Sequence, residues 1–427
     1  MHLRKTVLSI GSVALLHSAL IASALAADDT STAATAINAL GIDLLAQVAK
    51  PNANALISPY SIQSALAMTY AGAAGETKAE MARVLHYPAD EAELHRSFAA
   101  FRRELAVIHE RTARQVQGST ESGGPSEPVT IDTANRLYGQ SGYAFRPEFL
   151  ALVKDSYGAP FQPVDFMHAA EDARGEINHW VSVRTHERID DLIPPEGVNE
   201  ETRLALVNAI FFKAAWAEEF QRSATTTEPF SVNGTTPVNV RTMQREGRYG
   251  YKRGNGFRAI TISYVGQELE LLILLPDKED GLAALEAKLT PQLLADCANS
   301  EPNNLILYLP KFKLVPPLIP LSAMLQSLGM KTAFDQPIGS ANFDSMAPRK
   351  ADGYLFISEV FHKTYLALDE NGTEAAAATA VTMSRSFSVN KDPPKPIEIK
   401  VDHPFLFAIQ HRKSGACLFL GRVVDPR

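Results

Sequence analysis

The chain has 427 residues, 45% of them hydrophobic, and a formal net charge of −7. That length can bury a sizeable core, and the mildly acidic balance argues against nucleic acid as the main partner. Its two cysteines, Cys297 and Cys417, are too few for a disulfide framework.

In chain order, the first element is an N-terminal leader. Arg4 and Lys5 precede an uncharged run from Thr6 to Ala27, and Ala24-Leu25-Ala26 supplies a small-x-small cleavage signature. Residues 1–26 are therefore expected to be a signal peptide, with a membrane anchor as the alternative. Cleavage would leave residues 27–427 secreted or periplasmic, with no membrane attachment. Helices follow. Ile37 to Lys50 has apolar residues at helical spacing, and Ser58-Pro59-Tyr60 supplies cap chemistry for a helix over Ser61 to Tyr70. Lys78 to Leu85 and Ala92 to Gln115 continue the pattern. Residues 117–129 are rich in Gly, Ser and Glu and are expected to form a flexible surface insertion.

From mid-chain the pattern changes to short apolar runs typical of buried strands. Leu204 to Phe212, Leu269 to Pro276 and Leu305 to Leu309 read this way. So do Phe405 to Ile409 and Cys417 to Val424, joined as a hairpin. Cys417 sits in such a run and is expected to be a free core thiol; a bond to Cys297 is the alternative. No linker divides the chain. The expected fold class is α+β in a single domain.

No enzyme signature stands out. There is no G-x-S-x-G elbow, H-E-x-x-H, phosphate loop or C-x-x-C. His179 and His186 flank Trp180 without a ligand pattern, so no metal and no cofactor are called. His362 beside a strand is read as a structural histidine, with a hydrolase base as the competing role.

The unusual segment runs from Glu370 to Ser386. Thr373 followed by Glu374 and four alanines, Ala375 to Ala378, reads locally as a capped helix. The same letters also read as a strand. Thr373, Ala375, Ala377, Thr379, Val381 and Met383 then share one face, small at first and increasingly apolar. Glu374, Ala376, Ala378, Ala380, Thr382 and Ser384 share the other. Such a segment suits exposure at one time and burial later.

Several stretches together resemble the serpin family. Glu370 to Ala378 resembles the serpin hinge. Asn54 to Ser61, Asn208 to Lys213 with Trp216 and Phe220, Ser358 to Lys363, Asp402 to Phe407 and Phe419 to Pro426 resemble other family motifs, in the family order. The resemblance covers nearly all of residues 35–427. It implies three β-sheets, about nine helices and an exposed reactive-centre loop at about 370–396, in one domain. It also implies a metastable native state, a serine protease as partner, a covalent acyl-enzyme complex and a monomer. The chain itself would not be an enzyme.

The resemblance further assigns roles. Gly372 gives the hinge backbone freedom, and Thr373 enters the sheet first. Ser58, Ser61, Asn208 and His362 form a cluster where the sheet parts, and Trp216 marks where the new strand enters. The reactive bond is Arg385–Ser386, which favours a trypsin-like target, with Ser386–Phe387 as the alternative for an elastase- or subtilisin-like one. Asn371-Gly372-Thr373 is a glycosylation sequon; a glycan there would block insertion, which implies a bacterial source or an unmodified site. Asn233-Gly234-Thr235 is a second sequon. The alternative function is a non-inhibitory binding or storage serpin, disfavoured by the small hinge residues. The resemblance offers Arg102, Arg103, Arg111 and Arg114 as a glycosaminoglycan site, but Glu104 and Glu110 intervene and a solvated helix face is the favoured reading.

Overall fold

The computed structural model describes residues 30–119, 127–232, 236–298, 300–350, 353–374 and 395–427. Local chemistry explains the helix boundaries. Ser58 caps the helix Pro59–Ala71 by accepting from the Ser61 amide, with Pro59 in the first turn. Asp165 caps Phe166–Arg184 through His168. The helix Pro147–Tyr157 ends on Gly158 in the left-handed conformation. Helices Ser31–Val48, Gly75–Val84 and Glu91–Ser119 complete the N-terminal layer. Nine α-helices occur among the described residues.

The strands among the described residues form three sheets. A nine-stranded sheet is centred on Leu269–Pro276, buried along its whole length, and on the hairpin of Phe405–His411 and Cys417–Val423. Continuous apolar runs are what burial on both faces requires. A two-stranded sheet pairs Ile319–Pro320 with Phe361–His362. The six-stranded sheet runs Phe312–Leu314, Leu366–Leu368, Gly372–Thr373, Leu204–Ala215, Thr130–Gln140 and Phe161–Val164. The α+β reading therefore holds, with three sheets.

Alternation along Leu204–Ala215 divides its side chains between two cores. Ile210, Phe212 and Ala214 join the main core. Val207 and Ala209 face a second core beneath the helix Phe166–Arg184, with Ile177 and Val181. Cys297 and Cys417 are both free and buried; burial pushes the Cys417 thiol up to about 12. Most of the 117–129 insertion and all of the leader lie outside the described residues.

Candidate functional site

The site is a seam in the six-stranded sheet. Gly372–Thr373 lies between two strands and is antiparallel to both. Gly372 pairs with Ala215 and Thr373 with Ala214 on one bank, and Thr373 pairs with Leu368 on the other. The backbone ties extend further. Phe220 N donates to Glu370 O, Trp216 N to Asn371 O and Glu374 N to Ala367 O, each at 2.9 Å. Thr373, the candidate cap, lies in the sheet, and Ala375 to Ala378, where a helix would run, lie outside the described residues. Extended backbone ends at Glu374, which turns left-handed at φ 56°, a strained conformation for a residue with a Cβ.

The described hinge residues, Glu370 to Glu374, are held in place. A Cβ on Gly372 would lie 2.1 Å from the Ala214 carbonyl oxygen, so only glycine permits this approach. Thr373 is fully buried, with its Oγ1 2.7 Å from the Tyr264 hydroxyl. Tyr264 stacks on Trp216 at 4.7 Å, and Trp216 Nε1 donates to Asp369 O at 2.9 Å. Glu370 accepts from Lys311 Nζ at 2.7 Å and Thr225 Oγ1 at 2.8 Å. Burial pushes its carboxyl up, but these hydrogen bonds and the Lys311 charge more than offset that, so it ionises below the usual range. Glu374 accepts from Arg188 Nε at 3.0 Å. Asn371 is buried, its N–H donating to Asp369 Oδ1, so this arrangement has no room for a glycan on it.

The structure also brings Ser58, Ser61, Asn208 and His362 together. His362 Nε2 accepts from the Ser58 amide at 3.0 Å, and Ser58 Oγ donates to Leu418 O at 2.6 Å. Ser61 Oγ donates to Asn208 Oδ1, and Asn208 Nδ2 donates to Asn135 Oδ1. Burial pushes His362 down to about 3, and its acceptor nitrogen is committed to a backbone N–H. That leaves no free lone pair to take a proton from a serine, so the hydrolase reading falls.

Tyr264, Lys311, Thr225, Asn135 and Arg188 were not singled out from sequence. They come from five separate segments and carry no local motif. Arg102 is spent on the carbonyls of Asp155 and Ser156, and Arg111 on Glu268. Ala375 to Ala378, Arg385, Ser386 and Phe387 lie outside the described residues, as does Asn233.

Residues 35–426 match the family described as Serpin (serine protease inhibitor). The chain belongs to the serpin family. It is 36% identical over 397 residues to the human leukocyte elastase inhibitor, covering 91% of this chain and 97% of that protein. A serpin-like protein of Thermococcus kodakarensis is 36% identical over 396 residues, covering 92% and 85%. The native structure of tengpin, a thermophilic serpin, superposes with a TM-score of 0.75 at 26% identity, covering 92% of this chain and 94% of tengpin. Serpins are protease inhibitors and not catalysts, and inhibition is the function of this chain.

These relatives correct one expectation. Leukocyte elastase inhibitors of human, rat, horse and cattle are intracellular serpins, so the secreted or periplasmic placement is withdrawn. The leader-like run at residues 1–26 had suggested it, on hydropathy and a short cleavage signature alone. A bacterial source likewise draws no support from animal and archaeal relatives.

Proposed function

We propose that this serpin traps a serine endopeptidase as an acyl-enzyme by taking its own cleaved loop into the seam. The protease serine attacks the Arg385 carbonyl carbon, the bond to the Ser386 nitrogen breaks, and the new amine leaves with a proton. The Arg385 ester stays on the protease while the loop inserts as a strand. The complex is covalent and this chain acts as a monomer.

The observation that carries the reading is the Gly372–Thr373 pairing, because it sets a register. Thr373 faces Ala214 and Leu368. Continued downward, that register would set Ala375 between Phe212 and Leu366, and Thr379 between Asn208 and His362. Val381 would lie between Leu206 and Val360, and Met383 between Leu204 and Ser358. Thr373 points into the main core, so in the inserted strand the face carrying Ala375, Ala377, Thr379, Val381 and Met383 would too. A cavity lined by Leu204, Leu206, Phe343, Met346 and Ile357, and also by Thr69, Thr202, Ser358 and Glu359, lies at the level where Val381 and Met383 would sit. It suits their apolar side chains.

Arg385 as the bait residue fits a trypsin-like target, whose specificity pocket holds a carboxylate. A second reading has an independent warrant. Several relatives are named leukocyte elastase inhibitors, which favours cleavage at Ser386–Phe387 by an elastase-like protease. Ovalbumin and thyroxine-binding globulin also share the fold. The small hinge residues here favour insertion and inhibition.

Incubation with trypsin, an elastase and chymotrypsin, followed by a denaturing gel and mass spectrometry, tests the proposal. The expected result is a denaturant-resistant complex and a released C-terminal fragment starting at Ser386. Cleavage in the loop with no complex would overturn it.

A further inference from the structure

The strand Leu269–Pro276 carries a single ionisable residue, Glu270, in an otherwise apolar run. It lies inside the nine-stranded sheet, 1% exposed, directly opposite Gln410, which is 0% exposed. Gln410 Nε2 donates to Glu270 Oε1 at 2.9 Å. The other half of the carboxamide is unmatched: Gln410 Oε1 is buried with no hydrogen-bond partner among the described residues. Such an acceptor is costly to bury and rare in native proteins. A charged Glu270 cannot satisfy it, because a carboxylate only accepts.

Other elements contribute to the same carboxyl. Arg412 Nε lies 3.4 Å from Glu270 Oε2, on a side chain that is 34% exposed. Arg412 is also held by the neighbouring turn: its amide donates to Glu268 O at 2.9 Å and its Nη1 to Gln267 O at 3.1 Å. The Thr261 hydroxyl bonds the carboxyl from the strand Phe257–Ser263. Cys297 ends the helix Pro291–Cys297, and its buried thiol feels the charges of Lys252, Asp296 and Glu270. Burial disfavours the charged carboxyl, while Gln410, Arg412 and Thr261 favour it. Burial wins, and the Glu270 carboxyl is pushed up to about 7.

We propose that Glu270 and Gln410 form a proton-operated latch between the strands Leu269–Pro276 and Phe405–His411. With a proton on Glu270 Oε2, the carboxylic acid donates to Gln410 Oε1 while Gln410 Nε2 donates back to Glu270 Oε1. The cyclic pair satisfies the orphaned acceptor, and Arg412 keeps only its bonds to the Gln267 and Glu268 carbonyls. Loss of that proton to water opens the pair: Gln410 Oε1 loses its donor and Arg412 covers the charge instead. An unfolded glutamate ionises near roughly 4.3, well below the folded one. The latch therefore stabilises the native inhibitor fully below about 4.3, and its contribution is lost as pH rises to about 7. It lies in a different sheet from the seam and does not depend on the insertion reading.

The test uses the uncleaved full chain. Infrared difference spectra across neutral pH should show a protonated carboxyl band that disappears with a midpoint near 7 and is missing from Glu270→Gln. Arg412→Met removes the competing cation and should move that midpoint up by about half a pH unit or more. That shift also identifies the band if Glu270→Gln does not fold. Gln410→Leu should raise the band's frequency, because the acid then neither donates to nor accepts from an amide. Glutamine at 270 makes both latch bonds without a proton. The urea midpoint of Glu270→Gln should therefore fall less than that of the unsubstituted chain as pH rises from about 5 to about 7. Absence of a protonated carboxyl band near neutral pH would overturn the latch. So would a band whose frequency is unchanged in Gln410→Leu, or whose midpoint is unchanged in Arg412→Met.

Discussion

The hydroxyls of Tyr264 and Thr373 lie 2.7 Å apart in a fully buried setting, with Tyr264 stacked on Trp216. In the proposed insertion mechanism Tyr264 belongs to the static body and Thr373 to the hinge, and the hydrogen bond would anchor the first residue to insert.

Thr373→Val keeps the shape of the side chain and strands the Tyr264 hydroxyl. The uncleaved protein should lose about 1–3 kcal/mol, measured by urea unfolding. Adding Tyr264→Phe should recover much of that loss, because removing both partners is far cheaper than removing one. Thr373→Arg cannot be buried there. It should turn the inhibitor into a substrate, read as cleaved loop without complex.

Gly372→Ala places a Cβ against the Ala214 carbonyl. The hinge strand should be expelled, at a cost of about 1–3 kcal/mol. The stoichiometry of inhibition should rise, meaning more inhibitor is cleaved per protease trapped. An unchanged stoichiometry would show that the glycine is not needed for close approach.

The Glu370–Lys311 pair predicts a loss of stability in acid. Folding lowers the Glu370 pKa, so its contribution is complete above the ordinary glutamate value, roughly 4.3. It is lost as pH falls through the lower folded value. Glu370→Gln should remove this part of the acid dependence, followed as the urea midpoint between pH 5 and pH 2.

His362 adds a second acid-sensitive contribution over a wider window. The folded protein keeps this ring neutral down to about pH 3, whereas the unfolded chain takes up its proton near pH 6.5. Stability is fullest above about 6.5 and falls towards 3, by about 1.4 kcal/mol per pH unit at most. His362→Asn should flatten that slope. An unaltered slope would mean that the ring is solvated in the native state.

Much of this was legible in sequence because it is written in contiguous runs. Leu269 to Pro276 reads as a buried strand and is one along its full length. Alternation proposes two faces for the 373–384 segment, of which the structure describes Thr373, fully buried, and Glu374. Ser58, Ser61, Asn208 and His362 were named as a group through family motifs and do meet. What sequence did not show depends on contacts between distant segments. Lys311 is 59 residues from Glu370, and Arg188 is 186 from Glu374. Nothing local marks either partner. Residue 373 was ambiguous for a different reason: alanine and threonine suit a capped helix and a strand alike, and only pairing on two banks decides.

The central claim is that the cleaved loop becomes the strand that continues Gly372–Thr373. A structure of the chain cleaved at Arg385–Ser386 tests it most directly. The register predicts Thr379 between Asn208 and His362, with Val381 and Met383 in the cavity beside Leu206 and Leu204. A cleaved loop lying outside the sheet, with the seam below Thr373 unfilled, would contradict it.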